Sequence, residues 1–334
     1  MRIAGSPTEV PVLIVGAGIA GLAAARILHE AGVECRILEK SRGLGGRCAT
    51  RRFDGRSFDH GAQFFTIRNP HLAVLATEWL EREDVREWCC GFPDGGAESE
   101  VDGYSRYCSR PGMNQVPKLL ASALTIEKQI LVTGISRQAT GWLVSSECGR
   151  QWRSQVLVMT APLPQALVLL GNDLGVEVLT RFTGLKAIDY DPCFTVMLSL
   201  ADRSKIPAPG AIRAPNSVID WIADNSLKHQ TGQPGAVTVH TSADFTRDHF
   251  EMSHDQVAAT VIEAARPWLG SKVGAWQVHR WRYARPRCPL SVGMLALAGK
   301  HPLVLSGDYL NAPARIEGAF DSGVAAATYI LERV

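Results

Sequence analysis

The stretch Val12-Leu-Ile-Val-Gly16-Ala-Gly18-Ile-Ala-Gly21-Leu-Ala-Ala-Ala25 decides how this chain is read. It sits in a largely apolar run of sixteen residues, Val10 to Ala25. That is too short for a bilayer span, which takes about 20 apolar residues. No basic flank or cleavage site frames it, so neither an anchor nor a secretory leader is expected. Val12 to Val15 is continuous and β-branched, as in a strand buried on both faces. Gly16, Gly18 and Gly21 then give the spacing G-x-G-x-x-G. The first glycine permits a tight turn, the second lets a pyrophosphate approach the backbone, and the third lets helix and strand pack closely. Ile19 to Glu30 has helical periodicity and Gly32 is placed to cap it, so the N–H groups around Ile19 and Ala20 would point at a phosphate. A second strand, Glu34 to Glu39, ends in an acid 18 residues after Gly21. A carboxylate there accepts the ribose hydroxyls of an adenosine and repels a 2′-phosphate. Strand, glycines, helix, strand and terminal acid, in that order, predict a dinucleotide site.

The composition is that of a globular chain with room for two domains: 334 residues, 46% hydrophobic, 20% charged, net charge +2. So small a net charge offers no field for nucleic acid or a membrane surface. Eight cysteines occur with no C-x-x-C pair, and the nine histidines lack ligand spacing. Reduced thiols, a cytoplasmic location and no metal site are therefore expected. Basic residues cluster at Arg47, Arg51, Arg52 and Arg56, and again at Arg280, Arg282, Arg285 and Arg287.

Directly after Glu39 comes Lys40-Ser-Arg42-Gly-Leu-Gly45-Gly46-Arg47. It resembles the E-x-x-x-x-x-G-G-R element of flavoproteins of the amine-oxidase kind, where paired glycines admit a second pass along the pyrophosphate and the arginine neutralises it. Phe58-Asp-His-Gly61-Ala62-Gln63-Phe64-Phe65-Thr resembles the D-x-G-A-Q-[YF]-F-T segment of renalase-like flavoproteins, which runs beside the flavin. Near the C-terminus, Leu303-Val-Leu-Ser-Gly307-Asp308 reads as a buried strand, and Arg315-Ile316-Glu-Gly318 opens a small-residue helix over Ala319 to Leu331. In that superfamily the aspartate takes a ribityl hydroxyl or a neighbouring group. The helix N-terminus can face the flavin N1/C2 edge, where negative charge gathers on reduction. Tyr107 to Met113, Val156 to Pro162, Asp220 to Ala223 and His279-Arg-Trp-Arg-Tyr283-Ala-Arg-Pro286 also resemble bacterial renalase-type segments. The resemblance spans nearly the whole chain and implies noncovalent FAD as cofactor. It departs from the pattern at Phe64, where tyrosine is common, and in about nine residues before the first strand.

Nucleotide-binding pieces at both chain ends imply a discontinuous domain. The expected fold is α/β: a Rossmann-type FAD-binding domain over 1–70, 110–165 and 270–334. A second, smaller mixed β-sheet substrate domain would cover 71–109 and 166–269, in a p-hydroxybenzoate hydroxylase-like arrangement. Runs at 129–135, 141–145 and 155–160 predict a meander on the adenosine side, and in related flavoproteins a residue near Val132 touches the adenine through its backbone. Strands are expected near 195–200, 217–222 and 236–241, a helix over 253–268, and a mobile loop from Gly91 to Gly103.

A flavin performs the electron transfer itself, so no nucleophilic triad is required. The expected substrate cavity lies between the domains, walled by Gln63, Phe64, Trp221, His240 and Tyr283, with the 280–287 arginines at its mouth drawing a phosphate-bearing substrate. Renalase-type flavoproteins oxidise misreduced 2- and 6-dihydro isomers of NAD(P)H, and O2 reoxidises the flavin to give hydrogen peroxide. The resemblance implies that substrate; the chain is expected to act as a monomer or homodimer. An amine oxidase is the rival enzyme, although Lys272 precedes the aromatic motif and cannot be placed at flavin N5. A non-catalytic flavin sensor or electron carrier is the third reading.

Overall fold

The computed structural model describes residues 6–95, 103–230 and 232–333. Most of the expected Gly91–Gly103 loop, residues 96–102, lies outside them. The chain divides into two compact units of nearly equal length. The first comprises Met1–Gly46, Pro117–Asp189 and Pro286–Val334; the second comprises Arg47–Val116 and Tyr190–Arg285.

In the first unit the Thr8–Val15 strand is central, parallel on one side to Cys35–Glu39 and on the other to Gln151–Met159. Ile126–Lys128 extends the sheet in parallel beyond Cys35–Glu39, and Leu303–Leu305 beyond Gln151–Met159. Both chain ends thus share one parallel sheet, which makes the unit discontinuous. Val132–Gln138 and Gly141–Ser146 form an antiparallel extension carried by Gln151–Met159. Val12, Leu13 and Ile14 are wholly buried, as expected of a central strand with both faces covered. The helix spans Ile19–Glu30, with Gly32 just past its end at φ +76°, the left-handed conformation that glycine adopts without strain.

The C-terminal helix, Ile316–Leu331, packs on Ile19–Glu30 through small residues. A Cβ on Gly323 would lie 2.3 Å from the Ala20 carbonyl oxygen and 2.8 Å from the Ala23 Cβ. The small-residue run therefore serves close helix packing, whatever its N-terminus does.

The second unit is built on a five-stranded sheet ordered Ala211–Arg213, Ile219–Asp224, Ala236–Thr241, Tyr190–Leu200 and Val273–Pro286. One face is covered by the His254–Leu269 helix, whose Val257, Val261 and Ala265 pack against Phe194, Val196, Leu198 and Val239. Ser253 and Gln256 close a capping box at its start. The Arg56–Asp59 strand and the segment after it lie on the opposite face, where Phe58 packs on Met197 and Ala236. Residues 47–70 and 270–285, grouped above with the nucleotide-binding segments, fall in this unit because both pack with its sheet. Among the described residues, no helix is long and apolar enough to cross a membrane.

Gly323→Val is expected to force the two helices apart and to cost about 1–3 kcal/mol, the usual range for an overpacked interface. A denaturant midpoint unchanged from the parent would contradict this packing.

Candidate functional site

Two groups of residues, one in each unit, carry the chemistry expected from sequence. In the first unit the glycines define a space by what they lack. Gly16 has φ +110° and donates its N–H to the Leu38 carbonyl. A Cβ on Gly21 would sit 2.1 Å from the Gly16 carbonyl oxygen, so only glycine allows the strand and helix to meet there. Gly18 is different: a Cβ on it would meet nothing within 4 Å. It borders open space at the N-terminus of a helix that has no side-chain cap. Gly45 pairs with Gly18, donating its N–H to the Ala17 carbonyl, and a Gly46 Cβ would come within 3.8 Å of the Gly18 Cα. Gly18 and Gly46 thus border the same opening, with room for a pyrophosphate at the N-terminus of the Ile19–Glu30 helix.

Glu39 is buried beside this opening. Ala17 N–H donates to its Oε2 at 2.8 Å and Ser41 N–H to its Oε1 at 2.7 Å, which fixes the carboxylate while leaving each oxygen a lone pair for a ribose hydroxyl. Lys40 and Arg42 are exposed, and Lys40 Nζ reaches Gln165 Oε1 at 3.4 Å. Val132 is buried and paired with Ser146. Asp308 is buried after the Leu303–Leu305 strand, and the Gly307 N–H is held by Ser322 Oγ. Arg315 is the N-cap residue of the last helix, which has no side-chain capping bond. Gly318 must be glycine, since its Cβ would meet the Pro313 carbonyl oxygen at 2.6 Å. A strand-bordered glycine cradle, a fixed carboxylate and two helix N-termini without side-chain caps fit an adenine dinucleotide.

In the second unit the site forms around Asp59 to Phe64. Gly61 is sterically fixed, because its Cβ would fall 1.9 Å from the Arg47 carbonyl oxygen. That carbonyl accepts the Ala62 N–H, while Arg47 Nη1 donates to the Ala284 carbonyl. The His60 carbonyl accepts from Thr195 Oγ1 and Trp281 Nε1. Gln63 Nε2 donates to the carbonyls of Asp59 at 2.7 Å and Gly61 at 3.1 Å, and lies 3.4 Å from His240 Nε2. Two carbonyls on one end of the amide identify that end as the NH2. Gln63 Oε1 is then left buried and without a hydrogen-bond partner. Trp221, the register partner of His240, is 6% exposed, and its Nε1 likewise has no partner.

Phe64 contacts Trp221 and Phe92, with ring centroids 5.9 and 5.2 Å apart, and Trp88 completes the aromatic group through edge contacts with Phe92 and Trp221. Gln63, Phe64, Trp221 and His240 are thus brought together. Tyr283 instead meets Tyr190 edge-on at 5.4 Å. Sequence reasoning missed Trp88 and Phe92, and also His60, which stacks on Trp281 at 5.5 Å and meets His279 edge-on. Strand alternation was the available signal for His279 and Trp281.

That alternation also corrects the reading of the arginines. Along the Val273–Pro286 strand, His279 and Trp281 face His60. Arg280 and Arg282 face the other way, stacking on Phe250, and Arg280 donates to the Met252 carbonyl. Arg285 pairs with Asp191 and Arg287 with Asp189. They do not form a cationic mouth beside the aromatic group; Arg51, bonded to Gln277 Oε1, is a cation whose charge acts on both His60 and His279.

The imidazoles here are held neutral. Burial, with the charge of Lys228, pushes His240 down to about 4. Burial, with the charge of Arg51 and the neighbouring His279 ring, takes His60 to about 3, and burial with Arg51 takes His279 to about 4. Cys48 is buried, its Sγ donates to the Met113 carbonyl at 3.0 Å, and burial pushes its thiol far up. It is therefore a poor nucleophile.

Residues 14–79 match the model of an NAD(P)-binding Rossmann-like domain, and residues 92–331 that of the flavin containing amine oxidoreductases. The chain is 26% identical to renalase of Mus musculus over 318 residues, covering 89% of this chain and 92% of that protein. A putative flavin-containing monoamine oxidase, AofH, of Mycobacterium tuberculosis (strain ATCC 25618 / H37Rv) is 43% identical over 72 residues, 22% of this chain and 16% of that one. Among solved structures, wild-type putrescine oxidase bound to putrescine superposes with a TM-score of 0.72 at 14% identity, over 98% of this chain and all of that one.

Gly18→Val places its Cβ in open space, so the variant is expected to fold and to purify without flavin. Full yellow colour would overturn the cradle. Gly21→Ala, in contrast, is expected to lower the unfolding midpoint directly. Acid stability gives a second test. His60, His240 and His279 stay neutral when folded but take protons near pH 6.5 once unfolded. Stability is therefore expected to fall as pH is lowered from about 6.5 toward about 4, and a flat profile of denaturant midpoints over that window would contradict their burial.

Proposed function

The chain belongs to the flavin containing amine oxidoreductase family, and we propose that within it this protein oxidises misreduced dihydro isomers of NAD(P). It is a flavin-dependent oxidoreductase with FAD as cofactor. Bound FAD would supply the two-electron redox chemistry by which a dihydronicotinamide reduced at C2 or C6, O2 and a proton become NAD(P)+ and H2O2. The remaining work belongs to the chain.

In the first unit, Gly16, Gly18, Gly21, Gly45 and Gly46 would admit the pyrophosphate to the backbone, with the Ile19–Ala20 N–H groups as its donors. Glu39 would accept the adenosine ribose hydroxyls. Val132 would hold the adenine, Asp308 the ribityl side, and the Arg315–Gly318 end of the last helix would stabilise negative charge on the reduced flavin.

One observation supports this substrate above others: the site holds a buried acceptor and a buried donor, Gln63 Oε1 and Trp221 Nε1, both without partners. A buried polar atom left unpaired costs about 1–3 kcal/mol. A primary carboxamide would return that cost at both atoms, its NH2 donating to Gln63 and its oxygen accepting from Trp221. The flat faces of Phe64 and Trp221 suit a planar ring beside that group. His240 fixes the Gln63 amide rather than moving a proton, in keeping with its neutral state.

The amine reading fits less well. An ammonium offers donors and no acceptor, so Trp221 Nε1 would stay unpaired. It would also enter the field of Lys228, whose charge already reaches His240. Lys272 is exposed, and its carbonyl serves the Ala201 N–H.

The deciding experiment is anaerobic stopped flow. Separate addition of the 2- and 6-dihydro isomers is expected to bleach the flavin, with NAD(P)+ appearing stoichiometrically. An oxidised spectrum with every isomer would end this reading, and bleaching by amines would replace it. Gln63→Ala is expected to slow reduction about tenfold to a hundredfold, the scale for a mispositioned reactant, with FAD content near normal.

A further inference from the structure

Asp59 sits at the start of the segment that carries Gln63, and its carboxylate is fully buried. Thr50 Oγ1 and the Met113 N–H donate to Oδ1 at 2.5 and 2.8 Å. Lys228 Nζ and His229 Nε2 lie 2.7 and 2.8 Å from Oδ2. The Asp59 backbone is held as well: its N–H donates to Asn225 Oδ1, and its carbonyl accepts from Gln63 Nε2. Lys228 is itself 0% exposed, which for a lysine requires a paired anion. Its carbonyl accepts from Arg86 and from Cys108 Sγ, so the short helix bearing it is tied to the Val85–Cys89 and Arg106–Ser109 strands. On its other side the ammonium lies 5.2 Å from the centre of the Trp88 ring. Trp88 donates to the Pro209 carbonyl and meets Trp221 edge-on at 6.1 Å.

We infer that Lys228 is a positioning residue: through Asp59 it sets Gln63, and through the Trp88 ring it sets Trp221, so that one buried ammonium aligns both atoms that read a substrate carboxamide. The inference rests on the carboxamide-reading role proposed above. Lys228 Nζ touches no reacting atom, being occupied by Asp59 and the Trp88 face. Burial alone would push the Asp59 carboxyl up; Lys228 and His229 together outweigh it and hold it well below the usual carboxylate range. Without the lysine charge, the carboxylate either takes up a proton or draws in water. Either change breaks the four-way grip on Oδ1 and Oδ2, and the Asp59 carbonyl that holds Gln63 moves with it.

The test uses the holoprotein labelled with 15N-glutamine, in which the Gln63 side-chain resonance is identified by its loss in Gln63→Ala. In Lys228→Met that resonance is expected to shift or broaden, with FAD content kept and kcat/KM for the dihydro isomer down about tenfold to a hundredfold. Asp59→Asn/Lys228→Met removes both charges at once and is expected to return the resonance toward its parental position. A Gln63 resonance unmoved in Lys228→Met overturns the inference. So does one equally displaced in the double variant, since the lysine would then act by bulk and not through Asp59. If Lys228→Met fails to fold, the double variant decides alone: a parental resonance supports the inference, a displaced one rejects it. If no dihydro isomer reduces the parent flavin, the substrate reading falls while the resonance still reports on Lys228.

Discussion

The second unit depends on one buried charge. An isolated carboxylate inside a protein costs several kcal/mol in lost hydration, and Asp59 is tolerable only because Lys228, His229, Thr50 and the Met113 N–H converge on it. Those partners come from the Thr50–Phe53 strand, the turn after Ser109 and the Asn225–His229 helix, so the charge gathers three distant parts of the sequence. Removing one member of such a set costs about 3–5 kcal/mol, because the other charge is left bare. That asymmetry makes the arrangement specific, even where an apolar replacement of the whole set would be as stable.

The first unit reaches specificity in the opposite way, through absent atoms. Gly21 and Gly323 are places where the backbone of another element occupies the position a side chain would take, whereas Gly18 borders unfilled space. The same residue type thus does two jobs that the sequence writes identically. Only the contact distances separate a glycine needed for packing from one needed for a ligand.

This difference explains what could be read from the sequence. The Ile19–Glu30 helix, the strand at 35–39, the Ala236–Thr241 strand and the His254–Leu269 helix follow from local periodicity and end signals, and they lie where expected. Glu39 and the glycines belong to a motif of fixed spacing, so they too were legible. Lys228 and His229 were not. They occupy a five-residue helix with no periodicity of its own, 169 and 170 positions from the aspartate they serve. Trp88 and Phe92 were passed over because nothing near them in sequence marks a site. The 280–287 arginines were misread because charge was counted without the two-residue alternation of a strand, which sends Arg280 and Arg282 to the face opposite His279 and Trp281.

Charge balance around Gln63 bears on the proposed reaction as well as on the fold. Asp59 is neutralised within its own cluster, and His60, His240 and His279 carry no charge near neutral pH. A dihydronicotinamide ring is neutral and its oxidised product is a cation. In the proposed reaction Asp59 would offer that cation no free carboxylate, because Lys228 and His229 already hold it. The carboxamide contacts would not change on oxidation, so they would bind substrate and product alike. Discrimination between the two would then fall to the electrostatics around Gln63, where the ion pair that orders the segment also keeps its carboxylate from holding the product.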